Sequence, residues 1–339
     1  MEYRASTFLI LGIARSGTTL LQQLLDKHSA IAVCPESNVF TSLYRTSFKG
    51  EFPSAWHYQQ FMSYLKGWLK NFDDPALQVV SQQLEKNSDF NGMARELFQE
   101  LIQAYLKKKK KRVFGEKTPQ NLHHLSLIRR VCPQIKLVVL VRHPYDIVCS
   151  IAKLLADHSG RKNGMITTAI LLQASMFVKW GLEDLFSKKR DNERSIIVKY
   201  EDILKDSKTE LTRVCHFLDL SFESAMLQFQ TDALLRDSER MQYLHPNLSR
   251  QIDATNTNKY QKILNVQQEQ LIYRFLGVSL TNIPYDIQDN GAKLTSFQCL
   301  NLLLSQLRFS FKMHLWKDGI VRFKLSIKYV LHRFFSIGR

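Results

Sequence analysis

The sequence predicts an α/β fold: a P-loop-type parallel β-sheet flanked by helices on both faces, with a helical insertion and a C-terminal helical extension. Two observations lead to this prediction. Near the start of the chain, a short apolar run is followed by a glycine-punctuated turn and then by a helical pattern. Further along, β-branched apolar runs alternate with segments of helical periodicity, as in right-handed βαβ units. The 339 residues suffice for one large domain with an appendage.

The turn near the start is the most informative stretch, and residues 8–25 read FLILGIARSGTTLLQQLL. A strand, a glycine turn and a helix in this order leave free backbone N–H groups at a helix N-terminus, where phosphate or sulfate binds. The turn nearly matches G-x-x-x-x-G-K-[ST], with Gly12 and Gly17 in place. Thr18 replaces the lysine that a kinase or ATPase uses on the β- and γ-phosphates, and Arg15 is the nearest cation. We therefore expect an anionic nucleotide without a triphosphate.

Strand-like and helical segments then alternate along the chain. The predicted strands are Phe8–Leu11, Ala30–Val33, Val113–Phe114, Lys136–Val141 and Ser195–Lys199. The predicted helices include Thr18–Leu25, Tyr145–Leu155, Ala169–Phe186 and Val266–Leu276, with a mostly helical section at 48–108 and a long polar loop at 231–262. Ligands bind at the carboxyl ends of parallel strands, so we expect one crevice to collect the residues that follow them. These residues are Gly12, Glu36, Lys117, Arg142 and Tyr200.

The composition is that of a folded protein with a strongly basic charge. Subtracting 31 acidic from 47 basic residues gives +16, which favours an anionic partner such as a nucleotide, a nucleic acid, an anionic lipid or an acidic protein. Five scattered cysteines, without metal-type spacing, predict reduced thiols and a cytoplasmic setting. We expect neither a signal peptide nor a membrane-spanning helix, because no apolar stretch has the required length.

The motifs together resemble the PAPS-dependent sulfotransferases, whose donor is 3′-phosphoadenosine 5′-phosphosulfate (PAPS). The similarity is closer to the branch of tyrosylprotein sulfotransferases and bacterial relatives. The matching pieces are ARSGTTLL at 14–21, CPES at 34–37, GEKTPQNLHHL at 115–125, LVRHPYDIVCSI at 140–151 and VKYEDIL at 198–204. The resemblance implies PAPS as sulfuryl donor and an acceptor hydroxyl on a small molecule, glycan, lipid, tyrosine or carrier-bound metabolite. It implies no metal and no nucleic acid partner.

The resemblance also implies which residues bind the donor. Those around the 5′-phosphosulfate are Arg15, Ser16, Gly17, Thr18 and Thr19. Those around the 3′-phosphate and the nucleoside are Arg142, Ser150, Tyr200, Ser249 and Lys259. An arginine suits the 3′-phosphate because its planar fork matches the geometry of a phosphate dianion.

The resemblance implies Glu36 as general base, since this branch uses a glutamate after the second strand. Partial burial would suit that work, because it raises a carboxyl pKa toward neutral pH. The alternative is an ordinary surface acid or helix cap. Lys117 and Arg15 complete the predicted catalytic set by neutralising the bridging oxygen and the departing 5′-phosphate. His123 and His124 are interpreted as helix-face residues rather than metal ligands.

The predicted domains are a sulfotransferase domain at 1–290 and a basic amphipathic extension at 291–339. Residues 296–339 carry eight basic residues and one acidic residue, a balance of 8 − 1 = +7. This extension either packs on the main domain or brings a cytoplasmic enzyme to an anionic membrane surface or an acidic protein. Two other function classes stay open, a kinase-like P-loop protein and a non-catalytic polyanion-binding module.

Overall fold

The computed structural model describes residues 6–34, 36–46, 63, 90–158, 165–186, 194–228 and 255–317. The strands are β1 (Ser6–Leu11), β2 (Ile31–Cys34), β3 (Val113–Glu116), β4 (Lys136–Val141) and β5 (Ser195–Lys199). The helices are α1 (Thr18–Asp26), α2 (Val39–Thr46), α3 (Phe90–Lys109), α4 (Leu125–Val131), α5 (Pro144–His158), α6 (Thr168–Leu185), α7 (Tyr200–Lys205), α8 (Ser207–Phe217), α9 (Val266–Leu276) and α10 (Ser296–Lys317). Short 3₁₀ turns cover Pro119–His124, Ser224–Leu227, Lys259–Lys262 and Gly277–Leu280.

The five strands form one parallel sheet in the order β2-β3-β1-β4-β5. After β1 the chain forms β2 at one edge of the sheet, returns to form β3 between β2 and β1, and then crosses to the other side for β4 and β5. The turn after β1 therefore lies where the strand order reverses, which is where ligands bind in open α/β sheets. The predicted parallel α/β class is confirmed.

Helices cover both faces of this sheet. Phe8 and Ile10 of β1 belong to a buried cluster with Leu21 of α1 and with apolar side chains of α7 and α8. Successive strand residues point to opposite faces, so Phe114 of β3 lies on the other side. There its ring contacts those of Phe98 and Tyr105 on α3, with centroid distances of 6.0 and 5.8 Å.

The chain divides into two compact units. The first comprises Met1–Arg142 and Ser187–Thr257 and contains the sheet, and the second comprises His143–Phe186 and Asn258–Arg339. Within the second unit, α6 contacts α5, α9 and α10. The domain boundary placed between residues 290 and 291 stays a prediction.

Most elements lie within two residues of their predicted bounds, because buried apolar runs of this kind have few alternatives. His123 and His124 differ: they end a 3₁₀ turn that begins at Pro119, rather than lying on an amphipathic helix. The His124 ring instead contacts that of Tyr44, with a centroid distance of 4.5 Å and an angle of 32° between the ring planes. The predicted helical section at 48–108 is described only at residue 63 and in α3, where it is helical. Of the predicted loop at 231–262, the part before residue 255 lies outside the described residues.

Candidate functional site

The residues that follow the five strands lie at one edge of the sheet. Because all strands are parallel, their carboxyl ends meet there, and the strand order fixes the sequence of side chains. Across the edge this order is Glu36, Lys117, the turn after Gly12, Arg142 and Tyr200. All of them belong to the first compact unit. The structure thus brings together the residues that the sequence placed in one crevice.

The turn between β1 and α1 has the backbone of an anion cradle. Arg15 and Gly17 both adopt positive φ, 76° and 97°, and Gly17 precedes the first residue of α1 without a side-chain cap for the helix N–H groups. The backbone N–H of Ser16 donates to the carbonyl oxygen of Ile13 at 3.0 Å and closes the turn. The hydroxyl of Ser16 is fully buried and has no hydrogen-bond partner in the described part of the chain. An unpartnered buried hydroxyl beside uncapped N–H groups fits a phosphate or sulfate oxygen.

Both glycines of the turn are required by close contacts. A Cβ atom at Gly12 would lie 2.7 Å from the Ser16 hydroxyl and 2.9 Å from the carbonyl oxygen of Leu140. A Cβ atom at Gly17 would lie 2.6 Å from the Cε2 atom of the Tyr200 ring. The absence of side chains lets the turn fold tightly between β4 and Tyr200, which leaves the backbone open to a ligand.

Arg142 and Tyr200 form a stacked pair beside this turn. The Cζ atom of Arg142 lies 4.5 Å from the centroid of the Tyr200 ring. The guanidinium also donates to the carbonyl oxygen of Arg15 at 3.3 Å and to that of Asn256 at 3.2 Å. The Asn256 side-chain amide donates to the Tyr200 hydroxyl at 2.6 Å. A planar cation held in this way suits a bidentate phosphate contact.

Asn256 is a site residue that sequence reasoning missed. It lies in the stretch TNTN at 255–258, within the polar loop predicted at 231–262. The signal was the polar character of this stretch, which indicated a functional loop without selecting one residue. Its two hydrogen bonds, to Arg142 and to Tyr200, connect residues 255–258 to the residues that directly follow β4 and β5.

Glu36 and Lys117 form an ion pair at the ends of β2 and β3. The Nζ atom of Lys117 lies 2.6 Å from Oε1 of Glu36. The lysine side chain is 6% exposed and the glutamate side chain 45%, so the pair presents its carboxylate toward solvent. The two residues predicted as base and electrostatic partner are thus in direct contact. The Glu36 side chain is therefore more exposed than expected for a general base in a partly buried site.

The deeply buried carboxylate of the site is Glu116, the last residue of β3, which is 1% exposed. Its Oε1 accepts hydrogen bonds from the Ser37 hydroxyl at 2.9 Å and the Ser37 backbone N–H at 3.3 Å. The Thr118 hydroxyl also donates to Oε1, and the side-chain amide of Asn121 donates to Oε2. Burial raises the pKa of Glu116, while its hydrogen bonds act in the opposite direction.

Glu116 thereby holds in place the residue that follows each member of the Glu36–Lys117 ion pair. Ser37 follows Glu36 directly and Thr118 follows Lys117 directly, and both bind the same carboxylate. Glu116 is not among the predicted site residues, because a glutamate beside a lysine is usually solvated. Its place at the end of an apolar strand was the available signal.

Ser150 and Lys259 belong to the second compact unit. Ser150 lies half-buried on α5, and Lys259 is exposed at the start of a 3₁₀ turn. The next residue, Tyr260, donates its backbone N–H to Asp146 at 2.9 Å and stacks on His143 with a centroid distance of 4.6 Å. Ser249 lies outside the described residues. The donor-binding roles of these three residues stay predictions.

Among the residues that the structure describes, no group of three or more histidine, cysteine, aspartate or glutamate side chains could hold a metal ion. Of the helices in the described ranges, none is long and apolar enough to cross a membrane.

The chain is similar in sequence to known sulfotransferases. The model of the sulfotransferase family matches residues 7–224, and the chain belongs to this family. A Caenorhabditis briggsae protein named "Putative protein-tyrosine sulfotransferase" is 24% identical over 226 residues. That match covers 64% of this chain and 66% of the relative's length.

A solved structure has a similar fold, and a second was matched at lower similarity. The sulfotransferase domain from the curacin biosynthetic pathway has a TM-score of 0.52 and 18% identity, over 92% of this chain and 99% of that domain. The sulfotransferase domain of the Synechococcus PCC 7002 olefin synthase has a TM-score of 0.49 and 20% identity, over 91% of this chain and 96% of that domain. The first of these likenesses supports the fold assignment.

Proposed function

We propose that this protein transfers the sulfuryl group of PAPS to an acceptor hydroxyl, with Glu36 as general base. The observation that supports this most is the Glu36–Lys117 ion pair of 2.6 Å at the ends of β2 and β3. The ion pair lies at the same sheet edge as the turn after β1, and β1 is the strand next to β3. A base, a cation and an anion cradle on adjacent strands are what sulfuryl transfer to a hydroxyl requires.

In the proposed reaction the acceptor oxygen attacks sulfur opposite the bridging oxygen. The new oxygen–sulfur bond forms while the sulfur–oxygen bond to the 5′-phosphate breaks, and the acceptor proton passes to a carboxylate oxygen of Glu36. The products are a sulfate ester and 3′,5′-bisphosphoadenosine (PAP). Lys117 and Arg15 place positive charge where the bridging oxygen and the departing phosphate become more negative.

The residues of the first unit also fit the donor. The buried Ser16 hydroxyl and the N–H groups of Thr18 and Thr19 would hold the 5′-phosphosulfate. Arg142, stacked on Tyr200, would take the 3′-phosphate. A kinase-like function is less favourable at this site, because the position of the P-loop lysine is held by Thr18, which is 5% exposed.

The direct test is transfer of radiolabelled sulfate from PAPS to a panel of acceptors. The panel should hold tyrosine peptides, glycans, hydroxylated lipids and carrier-bound hydroxyacyl chains. The name of the Caenorhabditis relative makes tyrosine peptides the first choice. With a responding acceptor, Glu36→Gln should lower the rate about 10²- to 10⁴-fold, because the glutamine cannot take the proton.

Asp219→Asn is a matched control for this substitution. Asp219 is also a carboxylate in an exposed ion pair, 2.5 Å from Lys136 at the first residue of β4. Because its partner Lys136 begins β4, Asp219 lies at the opposite end of the strand from the candidate site, and its loss should leave the rate unchanged. Equal rates for wild type and Glu36→Gln would refute the role of Glu36, and transfer to no acceptor class would refute the proposed reaction.

A further inference from the structure

Helix α10 exposes a continuous apolar face, which we call the leucine face. It consists of Phe297, Leu300, Leu303, Leu304 and Leu307, which are 69%, 54%, 54%, 42% and 58% exposed. The four leucines follow the spacing i, i+3, i+4, i+7, so they form one stripe along the helix. Exposed apolar patches of this kind mark interaction sites on folded proteins.

The opposite face of α10 is anchored within the second compact unit. Phe309 is 8% exposed, and its ring lies 6.2 Å from that of Phe275 on α9. The Nζ atom of Lys179 on α6 lies 5.3 Å from the Phe309 ring, and the side-chain amide of Gln306 donates to the carbonyl oxygen of Arg274 at 3.3 Å. The leucine face therefore points outward on a helix that is already packed on its other side.

The sequence from residue 290 onward is strongly basic. From residue 290 to the last residue the sequence contains a single acidic residue, Asp318. The basic residues of the same stretch are Lys293, Arg308, Lys312, Lys317, Arg322, Lys324, Lys328, Arg333 and Arg339, so the balance is 9 − 1 = +8. Lys293 and Arg308, before and at the end of the leucine face, are both exposed.

We propose that α10 is a docking surface for an anionic lipid bilayer. The leucine face enters the boundary between headgroups and acyl chains, while basic residues of this segment, among them the exposed Lys293 and Arg308, contact the anionic headgroups. This inference goes beyond the proposed sulfuryl transfer and does not depend on it. It assigns the protein a place at a membrane surface, where a lipid or membrane-bound acceptor would be presented to it.

The charge balance favours a bilayer over a second copy of the chain. Helix α10 itself carries three basic residues, Arg308, Lys312 and Lys317, and no acidic one. If two leucine faces packed together, two helices of +3 would be brought side by side, and their mutual repulsion would oppose the contact. An anionic bilayer instead combines an apolar layer with negative charge in the same surface. It is complementary to both properties of α10.

The test is flotation of the full-length protein with lipid vesicles. We expect binding to phosphatidylcholine vesicles that contain about 30 mol% phosphatidylserine, weak binding to pure phosphatidylcholine, and release by high salt. The double substitution Leu303→Glu and Leu307→Glu should lower the partition at least about tenfold, because it puts charge where apolar contact is needed.

The matched control is Met165→Glu with Val278→Glu, which changes the net charge by the same amount. Both residues are exposed apolar side chains of the second unit outside α10, at 65% and 78% exposure. This variant should keep most of the binding. A second variant, Lys293→Gln with Arg308→Gln, should reduce the preference for anionic over neutral vesicles.

Several outcomes would overturn the proposal. They are no binding of the wild type to anionic vesicles, equal binding of the wild type and the leucine variant, and equal binding to neutral and anionic vesicles. A wild type that is dimeric by light scattering, with a monomeric leucine variant, would assign the face to self-association instead. Thermal unfolding of each variant controls for folding, and since the substituted leucines are exposed we expect unchanged midpoints.

Discussion

The buried carboxylate of Glu116 offers the most specific prediction about the architecture of the site. Replacing it with alanine removes the acceptor for four donors: the Ser37 backbone N–H and hydroxyl, the Thr118 hydroxyl and the Asn121 amide. A buried donor that loses its partner costs about 1–3 kcal/mol. Some donors will find water in the vacated space. We therefore expect Glu116→Ala to lower the free energy of unfolding by about 3–5 kcal/mol.

Glu223 provides a control, because it makes a similar pair of hydrogen bonds with one serine at the surface. It accepts hydrogen bonds from the Ser29 backbone N–H at 2.8 Å and from the Ser29 hydroxyl at 2.5 Å. Its side chain is 33% exposed, so water can replace it. Glu223→Ala should therefore lower the free energy of unfolding by less than about 1 kcal/mol.

The assay is urea unfolding of the wild type and the two alanine variants, followed by circular dichroism. Glu116→Ala should also slow sulfate transfer more than it weakens PAP binding, because Glu116 orders the turn that carries Glu36. Equal losses of stability for the two variants would refute this account of the buried carboxylate. So would a Glu116→Ala protein that transfers sulfate at the wild-type rate.

Two further predictions concern the anion turn and pH. Gly17→Ala should lower the melting temperature and weaken PAP binding, because its Cβ would meet the Tyr200 ring at a backbone φ of 97°. Gly291→Ala, at φ 68° with no atom within 4 Å of its Cβ, measures the backbone strain alone and should cost only about 1 kcal/mol. Burial raises the pKa of Glu116 above its ordinary value of 4.5, so the folded state holds this proton more tightly than the unfolded state. Its contribution to stability should be lost as pH rises from about 4.5 through the raised pKa. In a melting series from acid to neutral pH, Glu116→Gln should lack this loss, and identical pH profiles of the two proteins would contradict it.

The sequence was sufficient to predict the sheet and most of its edge. Apolar β-branched runs such as Lys136–Val141 are strands in the structure, because a parallel sheet buries both of its faces. Once the strands are parallel, Glu36, Lys117 and Arg142 must lie at the same edge. This part of the site therefore follows from local patterns and one topological rule.

The contacts between distant residues could not be predicted in the same way. Glu116 binds Ser37 across 79 positions of sequence, and Asn256 binds Tyr200 across 56. Neither pairing leaves a periodic signal, since each depends on the strand order and on loop conformation. That Glu116 is buried while the Glu36 side chain is exposed likewise depends on tertiary packing, which local sequence does not reveal.

The most direct test of the central claim is a thermal-shift titration with PAP, run in parallel with ATP. A ligand that binds only the folded state stabilises it by about 2.7 kcal/mol at one hundred times its dissociation constant. We predict a clear shift with PAP, little with ATP, and a much smaller PAP shift in Arg142→Ala relative to that variant's own unliganded midpoint. No shift with PAP, or an equal shift with ATP, would contradict the assignment of this sheet edge to a PAPS-type donor.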